Sequence, residues 1–171
     1  MYDVCIIGGG PAGLMAAEIA ADNKLSVVIV DAMPTFGRKF LMAGKSGLNI
    51  TKNQNKQDFL GKYYNAEHWL TPIINNFDNE AVMNWARSLG QEIFTGSSGH
   101  VFPKTMKASP LLRAWLQRLA NKGIKFHLNW KWIGWEKNLN SFDTKGGKEF
   151  IKSHTTILAL GGASWSRLGS D

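Results

Sequence analysis

Apolar positions near the start of the chain fall into two unbroken runs, with an alanine-rich stretch between them. Asp3 to Ile7 (DVCII) and Leu25 to Val30 (LSVVIV) show no polar alternation, the pattern of strands buried on both faces. Pro11 to Asn23 (PAGLMAAEIAADN) is rich in helix formers and carries proline in its first turn, where the missing N–H removes no helical bond. Strand, helix and strand in about thirty residues predict a βαβ unit with parallel strands. The pattern then lapses, and Ala32 to Lys62 reads mostly as loop, a length that points to function inside a compact domain.

Periodicity returns further on. Glu67 to Phe77 and Asn79 to Leu89 predict two helices, the second capped by Asp78 and stopped by Gly90. Ser97 to Pro103 (SSGHVFP) reads as a turn and short strand. Ser109-Pro110 opens a helix with Leu111, Leu112, Trp115, Leu116 and Leu119 on one apolar stripe and Gly123 as its stop. Strands follow in IKFHLNW, KWIGWEK, SFDTK and HTTILALGG, with NLNS and KGGK as turns. No internal repeat or low-complexity tract is visible.

Composition narrows the class. With 171 residues, 44% hydrophobic and 19% charged, the chain fits one soluble globular domain with a sizeable core. No apolar run reaches the roughly eighteen residues of a membrane span, and the N-terminus lacks a secretory leader pattern. The single Cys5 excludes an internal disulfide and suits a reducing compartment, so the expected location is cytoplasmic. The formal charge of +7 raises a nucleic-acid reading, but six basic residues from Arg38 to Lys62 against Asp58 supply a net +5 of it. A local basic loop meets a phosphate-bearing ligand, an acidic partner or water, and no nucleic-acid or membrane partner is expected. The four histidines lack metal spacing or a paired nucleophile, and Ser164 and Ser166 make no hydrolase elbow; no metal is expected and no catalytic residue is assigned.

The chemistry lies in the glycines. Gly8, Gly10 and Gly13, in GGGPAG, make G-x-G-x-x-G between a strand and a helix, and Asp31 closes the next strand. In that context Gly8 permits the tight turn, Gly10 lets a pyrophosphate approach, and Gly13 lets helix and strand pack closely. The helix N-terminus, with Pro11 and Ala12 in its first turn, presents its free N–H groups to phosphates, and Asp31 would accept from an adenosine ribose. A carboxylate there repels a 2′-phosphate, so FAD or NAD fits better than NADP. Thr155, Ala159, Gly161 and Gly162 form a second small-residue motif at the end of the next parallel strand. The three strands after Gly123 look like a β-meander inserted before it, as in FAD-binding domains.

GRKFLMAGKSGLN, SSGHVFPKTMKASPLLRAWLQRL and LALGGASWSRLGSD resemble the bacterial NAD(P)/FAD-dependent oxidoreductases of the BaiN/YhiN (aminoacetone oxidase-like) type, over essentially the whole chain. That family reads G-R-K, a small-residue loop, three glycines and Arg-Cys-Asn. Gly37, Arg38, Lys39 and Asn49 keep the pattern, whereas Lys45, Ser46, Gly47 and Leu48 depart from it toward a G-K-G-G-L-N subgroup, leaving roles of the missing Arg and Cys unassigned. The resemblance implies a flavoprotein oxidoreductase of α/β, Rossmann-like fold, with residues 1–171 as its FAD-binding domain and NAD(P)H as the available electron donor. It implies that Arg38, Lys39, Gly44, Lys45, Ser46, Gly47 and Asn49 wrap the flavin side of FAD, and that the backbone at Trp132 meets adenine. Arg38 pairing with Asp31, Asp31 as a strand-end cap, and Asn49 as a turn residue are the plainer readings. Trp130, Trp132 and Trp135 read equally as meander packing.

Family members continue past the second glycine motif into a substrate domain and a C-terminal segment that returns to the FAD site. The expectation is therefore an N-terminal portion of a flavoprotein, truncated relative to the family and with an exposed apolar patch. An NAD-binding dehydrogenase domain and a non-catalytic dinucleotide module are the alternatives; substrate and oligomeric state are not assigned.

Overall fold

A computed structural model describes residues 1–165. The chain opens with β1 (Tyr2–Ile7), α1 (Pro11–Asp22), β2 (Val27–Asp31) and α2 (Arg38–Ala43). There follow β3 (Thr51–Lys52), α3 (Lys56–Leu60), a 3-10 segment (Gly61–Ala66), α4 (Glu67–Asn76), α5 (Asn79–Ser88), β4 (Ile93–Thr95) and β5 (His100–Pro103). It closes with α6 (Ala108–Asn121), β6 (Lys125–Leu128), β7 (Lys131–Glu136), β8 (Leu139–Thr144), β9 (Gly147–Ile151) and β10 (Ser153–Leu158). Two compact units divide these elements, one of Met1–Met42 with the chain from Trp115, the other of Ala43–Ala114.

The first unit is built on a four-stranded sheet in the order β10-β1-β2-β6, with every neighbouring pair parallel. Both alternating sets of β1 are buried, Val4 and Ile6 as well as Cys5 and Ile7, and all of Val27 to Val30 is buried too. That explains the unbroken apolar runs in the sequence. One core cluster joins Cys5, Ile7, Val28 and Val30 to Phe142 and Ile151 of the antiparallel sheet β7-β8-β9, with Tyr2, Trp130 and Trp132 packed against it. Asn140, buried on β8, fastens that meander to β10 through hydrogen bonds to Ser153 Oγ (3.2 Å) and Thr156 Oγ1 (2.9 Å). Elsewhere in this unit α1 and the second half of α6 are clamped by ion pairs, Glu18 with Arg118 and Asp22 with Lys122.

The second unit holds a small antiparallel sheet, β3-β5-β4, and the helices α3 to α5. Asp78 caps α5 as the sequence predicts, its Oδ1 accepting from Ala81 N–H at 2.9 Å, and Gly90 ends it at φ +73°. Leu111 and Leu112 on the first half of α6 are buried, as the stripe requires.

Three expectations need correction. Ala32 to Lys62 is loop over only about half its length, because α2, β3 and α3 interrupt it. Each is six residues or fewer, too short for a period to show. Local signals set their bounds instead: a left-handed Gly37 (φ +66°) precedes α2, and Asn55 caps α3 by accepting from Asp58 N–H at 2.9 Å. Second, IKFHLNW does not open the meander; as β6 it is a fourth parallel strand beside β2, and the meander takes GKEFI as its third strand. The turn placed at NLNS sits at Lys137–Asn138, both at positive φ, while Asn140 and Ser141 are buried strand residues. Third, β4 has no counterpart in the sequence reading, being three residues long and half exposed.

Among the described residues no helix is long and apolar enough to cross a membrane, and no group of three or more His, Cys, Asp or Glu side chains could hold a metal ion. Trp69 and Ile73 on α4, and Leu158 and Leu160 at the end of β10, are exposed apolar side chains of the kind the composition suggests. Ser166 and the RLGSD end of the last resemblance stretch lie outside the described residues.

Candidate functional site

Register brings the C-terminal ends of the parallel strands together. Ile7 pairs with Val30 and Leu158, and Asp31 with Leu128, so the turns after β1, β2, β6 and β10 open at one end of the sheet. Ligands of open α/β sheets bind at such an end. Here a cavity of about 790 Å³ is walled by Gly8, Gly10, Pro11, Ala12 and Asp31 on one side. Arg38, Lys39, Trp132, Ala159, Gly161 and Gly162 complete it.

The turn after β1 is built for close approach. Gly8 has φ +107°, donates its N–H to Val30 O at 2.8 Å, and a Cβ on it would lie 2.3 Å from Ala159 O. That contact joins the two glycine motifs. Gly13 faces inward: a Cβ there would lie 1.9 Å from Gly8 O, so it shapes the turn from beneath without lining the cavity. A Cβ on Gly10, by contrast, meets nothing within 4 Å. Gly10 caps α1 in extended conformation, with no side-chain cap bond and no acid in the first turn. The helix's leading N–H groups and positive dipole end are thus open to an anion from the cleft.

Asp31 already serves the backbone. Its Oδ2 accepts from Gly9 N–H at 2.7 Å and its Oδ1 from Met33 N–H at 2.8 Å. This is the strand-end cap, yet two carboxylate oxygens have about four acceptor sites, which leaves capacity for a hydroxyl donor. Gly9 in turn accepts from Gly37 N–H at 2.9 Å, and the Phe36 ring occupies the place where a Gly9 side chain would stand. Phe36 meets Phe126 of β6 edge-on at 5.3 Å. No Arg38–Asp31 ion pair forms.

Two donors point to a ligand. Arg38 Nε and Trp132 Nε1 are buried without a hydrogen-bond partner, although both residues line the cavity. Buried polar groups are rarely left unsatisfied. Trp132 stands edge-to-face with Trp135 at 4.8 Å, so its packing role and its place at the cleft coexist. Lys39 Nζ donates to Gly162 O at 2.7 Å. Thr155 is exposed, and Thr156 makes the bond to Asn140.

The remaining predicted residues, Gly44, Lys45, Ser46, Gly47 and Asn49, belong to the second unit. Gly44 is buried, and a Cβ there would lie 2.5 Å from Ala108 Cβ. Gly47 adopts φ +141°, Leu48 is buried and donates its N–H to Met106 O at 3.1 Å, and Lys45, Ser46 and Asn49 are exposed. Sequence reasoning missed Thr35, Trp130 and Lys131, which also line the cleft. Trp130 stacks on His127 at 4.2 Å, and burial holds the His127 imidazole below its ordinary pKa against the opposing pull of Glu149. Placing β6 in the main sheet would have found Trp130 and Lys131, because both directly follow that strand's C-terminal end.

A parallel sheet, an inserted meander and a double-glycine cleft define the class: a Rossmann-like α/β domain. The chain belongs to the HI0933-like protein Rossmann domain family, whose profile matches residues 2–171. A ferredoxin–NADP reductase of Streptococcus pneumoniae serotype 19F (strain G54) is 29% identical over 115 residues, 62% of this chain and 34% of that protein. Ferredoxin–NADP reductase 2 of Shouchella clausii (strain KSM-K16) is 51% identical over 37 residues, 22% of this chain and 11% of that protein. In structure, the open conformation of a flavocytochrome c3 fumarate reductase superposes with a TM-score of 0.60 at 18% identity, over 95% of this chain and 34% of that one. The chain thus spans about a third of that solved structure, and its matches cover 34% and 11% of these curated relatives.

Proposed function

We propose that the cleft at the strand ends holds FAD, and that this domain serves an oxidoreductase of the BaiN/YhiN (aminoacetone oxidase-like) type. The observation that carries the reading is that glycines of both motifs, Asp31 and Trp132 wall one cavity of about 790 Å³. The open N-terminus of α1 suits the pyrophosphate, and the space over Gly10 gives it access. Asp31 offers its remaining acceptor sites to a ribose hydroxyl and disfavours a phosphate at the same place. Arg38 Nε and Trp132 Nε1 supply donors that the chain itself leaves unmatched. Bound FAD would supply the redox chemistry; the protein's part is to bind, orient and set the local field.

The retained Gly37-Arg38-Lys39 supports the BaiN/YhiN type, and the likeness to ferredoxin–NADP reductases supports NAD(P)H as electron donor. The loop from Gly44 to Asn49 is assigned to the flavin side on the resemblance alone. Visible absorbance of the purified protein, after FAD is added and the excess removed, tests the cofactor. Retained flavin bands support it. A folded protein that stays colourless but holds NADH would replace it with a nicotinamide-binding domain.

A further inference from the structure

We propose that Phe36 is a positioning residue of the cleft. Its ring, seated where Gly9 has no side chain, fixes the Gly9 amide against Asp31 and so holds that carboxylate in place for a ligand. This rests on the cofactor reading of the same cavity. Gly9 and Phe36 are both buried and stand behind the cavity wall, whereas their neighbours Gly8, Gly10, Thr35 and Gly37 line it. The need for glycine differs along the run of three. Gly8 requires its backbone, at φ +107°, and Gly10 borders open space. Gly9 is not among the glycines at positive φ, so its backbone conformation would admit alanine. The obstacle is a ring instead. The three atoms nearest a Cβ on Gly9 all belong to Phe36: Cδ1 at 1.8 Å, Cε1 at 2.6 Å and Cγ at 2.8 Å.

The segment from Asp31 to Gly37 closes on Gly9 from both ends. At its start Asp31 Oδ2 accepts from Gly9 N–H at 2.7 Å, and at its end Gly37 N–H donates to Gly9 O at 2.9 Å. Phe36 adds the third contact and is itself braced edge-on by Phe126, with ring centroids 5.3 Å apart. Phe126 pairs with Ile29 in the parallel sheet, so the brace is rooted in the core. The other carboxylate oxygen accepts from Met33 N–H at 2.8 Å, and Met33 O accepts from Asn129 N–H at 3.2 Å. Both oxygens are thus aimed by backbone donors with fixed places, and the ring fixes the Gly9 donor. A buried, close-packed aromatic has little freedom to move, which is what such a support requires.

The test joins amide exchange, read by heteronuclear NMR of the ligand-free protein, to FAD titrations of wild type, Phe36→Leu, Gly9→Ala and the double variant. Phe36→Leu should speed exchange of the Gly9 amide and weaken FAD binding, each by about tenfold, the loss expected for one hydrogen bond to a charged group. Gly9→Ala drives a methyl into the ring and should weaken FAD binding as well. In that background the same Phe36→Leu should instead tighten FAD binding, because a branched chain can turn from the new methyl where a flat ring cannot. A residue that merely fills the core would lower stability and leave the Gly9 amide and FAD affinity unmoved; that result would overturn the proposal. Weaker binding from Phe36→Leu in both backgrounds would overturn it too, since the two sites would then act independently. Phe36→Met, nearer the ring in volume, should shift both readouts less, and it decides the question if Phe36→Leu does not fold. Failure of wild type to bind FAD would count against the cofactor reading, while exchange at the Gly9 amide would still decide the positioning role.

Discussion

The side chain that Gly13 lacks would stand 1.9 Å from the carbonyl oxygen of Gly8. Helix α1 and the end of β1 approach so closely that only hydrogen fits between them. Gly10, three residues earlier, has open space at the corresponding point. The two positions should therefore fail differently. Gly13→Ala should destabilise the fold by about 3 kcal/mol, the upper range for overpacking, and lower the urea midpoint. Gly10→Val should leave that midpoint nearly unchanged and abolish FAD retention. Normal FAD binding by a folded Gly10→Val protein would refute the pyrophosphate assignment.

Asp31 has two duties that substitution can separate. Asp31→Ala removes the acceptor for Gly9 and Met33 N–H and should lower stability by about 2 kcal/mol, besides weakening FAD binding. Asp31→Asn keeps one carbonyl acceptor and should lose less of each. An Asp31→Ala protein with a normal melting temperature and weak FAD binding would show that the backbone bonds contribute little.

Glu18 is buried on α1 and accepts from Trp115 Nε1 at 2.6 Å and Arg118 Nη1 at 2.9 Å. Glu18→Ala removes the buried carboxylate that accepts from both donors and should destabilise by about 3 kcal/mol. Glu18→Gln retains one carbonyl acceptor and should be milder. Chemical denaturation of the two variants measures the difference.

Burial pushes the Cys5 thiol up to about 12, from an ordinary value of 9.0. The folded state thus keeps its proton where the unfolded chain ionises. The contribution is fully present below about pH 9 and is lost as pH rises toward 12. Over that window wild type should lose stability more steeply than Cys5→Ala, in paired urea titrations at several pH values. A thiol reagent at pH 8 should find Cys5 unreactive until the protein unfolds.

The parts of the fold legible in the sequence are those where one signal sufficed. The apolar runs in DVCII and LSVVIV read as buried strands, although Leu25 and Ser26 lie exposed ahead of β2, and Gly8, Gly10, Gly13 and Asp31 mark the cleft through a spacing that the backbone geometry enforces. What escaped depended on partners distant in sequence. IKFHLNW reads as a strand, but its place beside β2 rather than in the meander is decided by packing that the segment alone does not encode. The Lys39–Gly162 bond spans most of the chain, and no local pattern announces it. No motif marks Gly9, whose missing side chain leaves the place that the Phe36 ring fills.

The pairing of β1 with β10 has a consequence for the life of the newly made chain. Tyr2 aligns with Ser153 and Ile7 with Leu158, so β1 is made well before the strand that covers its second edge. At about 5–20 residues per second, synthesis leaves that apolar edge open for roughly ten to thirty seconds. During this interval DVCII is a template for any other extended segment, including the same segment on a neighbouring polysome. Shielding of that edge during synthesis would then bear on how much of the chain reaches its fold.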